Sequence, residues 1–74
     1  MKSRRLTALI EREENGYVSL CPELDIASQG DTVEEARTNL IEALEMFFEL
    51  ASEEEISRRL KTDFHVSTVE VAVA

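Results

Sequence analysis

Apolar and polar residues alternate across residues 5–13, with Leu6, Ala8 and Ile10 on one side and Thr7, Leu9 and Glu11 on the other. A period of two is the pattern of a strand with one mostly buried face. Asn15-Gly16 then marks a hairpin, and Tyr17-Val18-Ser19-Leu20-Cys21 is the returning strand. The register follows from the loop length. A two-residue Asn15-Gly16 loop sets Glu11 and Glu13 opposite Leu20 and Val18. A three-residue loop over Glu14, Asn15 and Gly16 sets Ile10 opposite Leu20 and Ala8 opposite Pro22. It gathers Leu6, Ala8, Ile10, Val18 and Leu20 on one apolar face. A one-residue slip turns every side chain to the other face, so the pattern favours the three-residue loop, a type I turn with Gly16 left-handed.

Pro22 ends the second strand because it has no amide to give to a ladder. Glu23-Leu24-Asp25 makes a corner, and residues 26–29 form a short third strand closed by Gly30. The run Asp31-Thr32-Val33-Glu34-Glu35 opens a helix. Thr32 accepts from the amide of Glu35, whose side chain reaches back to the cap. Asp31, Glu34 and Glu35 also suit the positive end of the helix dipole. The helix is expected over residues 33–51, with Val33, Ala36, Leu40, Ala43, Leu44, Phe47 and Ala51 as its buried stripe. Glu34, Thr38, Glu42, Glu45 and Glu49 lie away from that stripe. Ile41, Phe48 and Leu50 widen it beyond what one small sheet face covers. This excess marks a second buried contact such as a subunit interface, or, for Phe48, packing under the following turn.

Ser52-Glu53-Glu54-Glu55 is a second capping box, opening a short helix with Ile56 and Leu60 inward and a break at Thr62-Asp63. Residues 64–73 are rich in Val and Thr, and Val69, Val71 and Val73 share a face while Glu70 points away, which predicts a strand. Phe64 and Val66 are out of phase with those valines, so a bulge or bend is expected near Ser67-Thr68. The element order is β-β-β-α-(α)-β, an α+β fold: a three-stranded antiparallel meander, one long helix on one face, and a returning strand. A right-handed crossover brings that fourth strand parallel beside the first, in the order 3-2-1-4.

Seventy-four residues make one domain, 1–74, with a core that supplies roughly 3–5 kcal/mol at best. The single cysteine excludes an internal disulfide, and Cys21 with the lone His65 cannot close a structural zinc site. Oligomerisation is the common remaining way to stabilise so small a domain, and a homo-oligomer, most simply a two-fold dimer, is expected. The hydrophobic fraction of 43% and charged fraction of 32% suit a folded chain. No apolar run approaches the ~20 residues of a membrane helix, and the basic start lacks the apolar stretch of a signal peptide. With an unpaired cysteine, these features point to the cytoplasm.

The net charge is −8, and residues 34–55 hold eight Glu against a single Arg37. Lys2, Arg4 and Arg5 make a small basic start, but no basic stripe with interleaved aromatics follows. Direct nucleic-acid binding needs many phosphate-neutralising cations and is not expected. The plain reading of the Glu-rich face is solvation; the functional one is steering towards a basic protein.

Enzymatic chemistry finds little support. Glu23, Asp25 and Asp31 are the carboxylates clustered near a loop, but their spacing matches no metal loop of defined geometry. Cys21 and His65 fall on different strands, with no third group to orient the histidine as a base. The two glycines sit in separate turns, not in a phosphate-binding loop. The topology is similar to a truncated ribonuclease H arrangement, whose nucleases carry a metal-binding carboxylate in the middle of the first strand. Leu6-Thr7-Ala8-Leu9-Ile10 has none there. No catalytic residue, metal or cofactor is assigned, and the chain is not expected to be an enzyme.

Gly16-Tyr17, then Pro22-Glu23-Leu24, then Gly30-Asp31-Thr32 with Glu35-Ala36, and Glu42-Ala43 further on, resembles the HicB-like antitoxin family. The likeness covers residues 6–48, with the Val-rich closing segment also in place. Asp25 departs from it, standing where that family commonly has Pro or a small residue. The resemblance implies a partial ribonuclease-H-like fold without nuclease residues. It also implies a partner, a small basic HicA-type ribonuclease toxin that the domain binds and neutralises. It gives the motif residues a mainly structural role and makes Glu34, Glu42, Glu45 and Glu49 candidates for a partner-facing acidic surface. Longer members add a C-terminal DNA-binding domain, which is not expected here, nor is operator binding. The competing expectation is a stand-alone oligomeric domain of the same fold with an unrelated protein or small-molecule partner and no toxin.

Overall fold

The computed structural model describes residues 3–74; Lys2 of the basic start lies outside the described residues. Strands β1 (Leu9–Glu13), β2 (Gly16–Cys21) and β3 (Ile26–Gly30) form an antiparallel sheet in that order, followed by helices α1 (Val33–Leu50) and α2 (Glu53–Arg59). The α+β class, the meander and the long covering helix are as expected. At both helix starts the hydroxyl half of the expected capping box forms. The Thr32 and Ser52 hydroxyls accept from the Glu35 and Glu55 amides at 3.0 and 3.1 Å. The Glu35 carboxylate accepts from Asp31, one residue before the cap, at 2.6 Å.

The hairpin register corrects the expectation. Leu9 pairs with Leu20, Ile10 with Ser19, Glu11 with Val18 and Glu13 with Gly16, so the turn is Glu14-Asn15 and neither anticipated loop forms. No glycine has a positive φ. Gly16 and Gly30 are instead positions of close approach. A Cβ on Gly16 would stand 2.7 Å from the Gly30 oxygen, and one on Gly30 would stand 2.5 Å from the Ala36 nitrogen. In this register Ser19 and Cys21 face α1, whereas Val18 and Leu20 point away from it beside Leu9. Counting apolar residues on one face misjudged the contact. Small side chains let the helix come close, and the buried Ser19 hydroxyl donates to the Ala36 carbonyl at 2.8 Å.

Cys21, Leu24 and Leu40 form the core, edged by Leu6, Ile26, Leu44, Phe47, Phe48 and Leu60. Ala36 is fully buried against the sheet, but Val33, expected in the same stripe, is exposed at the helix start.

The second correction concerns the fourth strand. Among the described residues, 60–74 carry no strand, and the sheet order is β1-β2-β3 rather than 3-2-1-4. Val69, Val71 and Val73 are 82%, 70% and 86% exposed. Alternation makes a segment competent to be a strand, but a ladder also needs an edge to pair with and a face to cover. The first strand is shorter than expected for a related reason: the Thr7 amide is taken by a side chain, the Glu23 carboxylate.

Candidate functional site

Two sets of residues singled out from the sequence occupy separate places, the Pro-Glu-Leu corner and the outer face of α1. At the corner, the Leu24 amide donates to the Cys21 carbonyl at 3.3 Å, closing a β-turn in which Pro22 takes the position that its fixed φ favours. Asp25 follows at φ 57°, the left-handed region that Asp tolerates better than most side chains. Leu24 is thereby driven into the core. Glu23 reaches to the segment before β1, where its carboxylate accepts from the Thr7 amide at 3.0 and 3.2 Å and from the Thr7 hydroxyl at 2.7 Å.

The corner also gathers the segment after α2. The Lys61 amide donates to the Glu23 carbonyl at 2.9 Å, and the Arg59 guanidinium donates to the Leu24 carbonyl at 3.0 Å. The same guanidinium lies over the Phe47 ring, 4.9 Å from its centroid. Thr7, Arg59 and Lys61 were not anticipated. For Thr7, the available signal was a carboxylate beside a proline that leaves a strand end without its amide.

Burial disfavours the charge on Glu23, but the hydrogen bonds from Thr7, from its own backbone and from Cys21 outweigh it and hold the carboxyl below its usual 4.5. Burial, aided by the neighbouring Glu23 charge, pushes the Cys21 thiol above its usual 9.0, so it is poorly suited to act as a nucleophile. Cys21 bonds to Glu23, while His65 pairs with Asp63 at 2.9 Å in the exposed closing segment. The two are not brought together. Nor does any group of three or more His, Cys, Asp or Glu among the described residues gather as a metal site, and Glu23, Asp25 and Asp31 point to different tasks.

On α1, Glu34, Glu42, Glu45 and Glu49 are all exposed, whereas Ala36 and Leu40 are buried. At about 100° per residue these four carboxylates span an arc of about 80° opposite the buried residues. Among the described residues none of these four carboxylates has an ion-pair partner. Ile41, Phe48 and Leu50 do not make one patch. Ile41 and Phe48 lie on one flank of α1, with Phe48 packed at the core edge, edge-to-face with Phe47 at 5.3 Å and under the Arg4 guanidinium at 5.7 Å. Leu50, 77% exposed, lies on the opposite flank near Met46. Asn39 marks that second flank as the β3 side by donating to the Gln29 carbonyl at 2.8 Å.

No helix among the described residues is long and apolar enough to cross a membrane. The chain is 34% identical over 70 residues to a UPF0150 protein of Helicobacter pylori, a match covering 93% of this chain and 97% of that relative. Two UPF0150 proteins of Synechocystis sp. are 49% identical over 45 residues (58% of this chain, 57% of the relative) and 46% identical over 46 residues (60% and 64%). No family model matches the chain. No solved structure matches it either.

Proposed function

The chain belongs to the UPF0150 family, and on that premise we propose that it is a HicB-like antitoxin module that neutralises a small basic HicA-type ribonuclease toxin by protein–protein binding. The observation that carries this reading is the acidic arc of α1, exposed and without an ion-pair partner among the described residues, on a chain of net charge −8. Complementary potentials of this kind steer association and set specificity more than they add affinity. The corner and the two glycines supply the frame, and the domain acts by occupying the toxin, without catalysis of its own, in the cytoplasm of a prokaryote.

The test is to look beside the gene of this chain for one encoding a small basic protein and to purify that protein; a neighbourhood without one counts against the proposal. Mixing the two is expected to give a complex on gel filtration and to stop the toxin's RNA cleavage. The double reversal Glu42→Lys and Glu45→Lys should weaken binding at least about tenfold with a matching loss of salt dependence. If the two proteins neither co-elute nor show inhibition, the proposal fails, and the stand-alone oligomeric domain with another partner takes its place.

A further inference from the structure

Two features of the described chain lack a partner within it. One is the closing segment, whose Val69, Val71 and Val73 keep the alternation of a sheet face while remaining 82%, 70% and 86% exposed. The other is the outer side of β1. The sheet order leaves that edge unpaired, and α1 lies over β3 and β2 and only grazes β1. Ile10 is half-buried there, and Ile41 on the adjoining flank of α1 is 38% exposed. An open edge of this sort is a template for another strand.

We propose that residues 68–74 of one copy add as a strand to the β1 edge of a second copy, the two exchanging strands about a two-fold axis. The sheet has two edges, but at β3 the Asn39 side chain of α1 already takes the Gln29 carbonyl; with β1 as the edge for the one strand-forming segment, two copies satisfy both needs at once and the assembly closes. A foreign strand on β1 would leave the closing segment bare. The root of that segment is fixed: Lys61 is bonded to the Glu23 carbonyl, and Thr62 and Phe64 line a groove of about 210 Å³ with Arg4, Arg5 and Leu6. The segment therefore departs from beside the entry to β1. Its valines stand exposed, and the chain has a longest dimension of 49 Å and a radius of gyration of 14.5 Å, against about 11 Å for a compact chain of this length. In the exchanged pair the valines complete the layer over Ile10 and Ile41 that α1 leaves open.

The experiment needs only the purified full chain, so its outcome is separate from that of toxin binding. Light scattering at high micromolar concentration should give the dimer mass. Val71→Asp should raise the dissociation constant at least about tenfold while leaving the helical circular dichroism intact, because residue 71 makes no buried contact in the single chain. A mixture of isotope-labelled and unlabelled chains should show contacts between the amides of residues 69–73 in one copy and β1 of the other. A monomeric native chain, a Val71→Asp dimer of unchanged strength, or contacts confined within one chain would each overturn the exchange.

Discussion

The Pro-Glu-Leu corner and the closing segment meet at one hydrogen bond, from the Lys61 amide to the Glu23 carbonyl, and differ in almost everything else. On the corner side the polar groups are occupied: Glu23 by Thr7, the Leu24 carbonyl by Arg59, the Cys21 carbonyl by the Leu24 amide. On the other side the valines stand in solvent. The two regions were equally conspicuous in the sequence, one as a motif and the other as a periodicity. A motif of turn formers and a carboxylate is satisfied by nearby backbone. A period of two is satisfied only by an edge, which nothing in the period itself locates.

The largest effects should fall on the corner side and its core. Leu40→Ala or Leu24→Ala removes a fully buried side chain and should cost about 2–5 kcal/mol, comparable with the whole stability of so small a domain. Thermal unfolding followed by circular dichroism should show little or no folded state. Val71→Ala, measured in dilute conditions where the chain is monomeric, should leave the melting curve unchanged. If Val71→Ala destabilises the monomer as Leu40→Ala does, the contrast between the regions collapses.

A smaller effect is expected at the floor under α1. Gly30→Ala places a methyl group against the Ala36 nitrogen and the Glu35 backbone, both fixed in the first turn of the helix. Backbone cannot swing aside as a side-chain tip does, so the helix start must shift, at about 1–3 kcal/mol. Denaturant unfolding measures the loss. An unchanged midpoint would mean that α1 rides more loosely on the sheet than its hydrogen bonds from Ser19 and Asn39 imply.

Much of this was legible in the sequence. Thr32 with Glu35 and Ser52 with Glu55 are short-range devices, so they placed both helix starts to the residue. Pro22 likewise ended β2 where the structure ends it. What was not legible required knowledge of what lies across the sheet. An apolar count favours a different register, but Ser19 and Cys21 face α1 because the helix approaches too closely for Val18 or Leu20, a fact set by Gly30 and Ala36 rather than by the hairpin. Ile41 and Leu50 both looked surplus, yet they fall on opposite flanks of α1, a separation that the apolar count did not weigh. The acidic arc was readable because charges on a solvent face need no neighbour to define them.

The corner's charge can be separated from its shape through pH. Because the Glu23 carboxyl is held below its usual value in the folded chain, its contribution is present above about 4.5, the unfolded value, and is lost as pH falls through the lower folded value. Glu23→Gln should therefore cost about 1–2 kcal/mol at neutral pH, from weakened bonds to Thr7, and the deficit should shrink towards zero in acid. Unfolding midpoints of the two proteins across the acid range test this. A deficit independent of pH would assign the corner's strength to packing of Leu24 alone.

The smallest effect is expected at Asp25, and it bears on how much of the corner is generic. A φ of 57° strains any residue that carries a Cβ, at a cost of about 1–2 kcal/mol that Asp partly offsets with its short polar side chain. Asp25→Gly relieves the strain but gives the unfolded chain more freedom, worth about 0.4–1 kcal/mol in the other direction. The two terms nearly cancel, so the melting temperature should move by no more than a few degrees. Proline is different in kind: its ring holds φ near −65° and cannot follow the chain here. Asp25→Pro should therefore displace Leu24 from the core and melt like Leu24→Ala. If instead it is tolerated, the turn at Cys21–Leu24 has a second conformation, and the corner holds its three segments together less firmly than the bonds around Glu23 indicate.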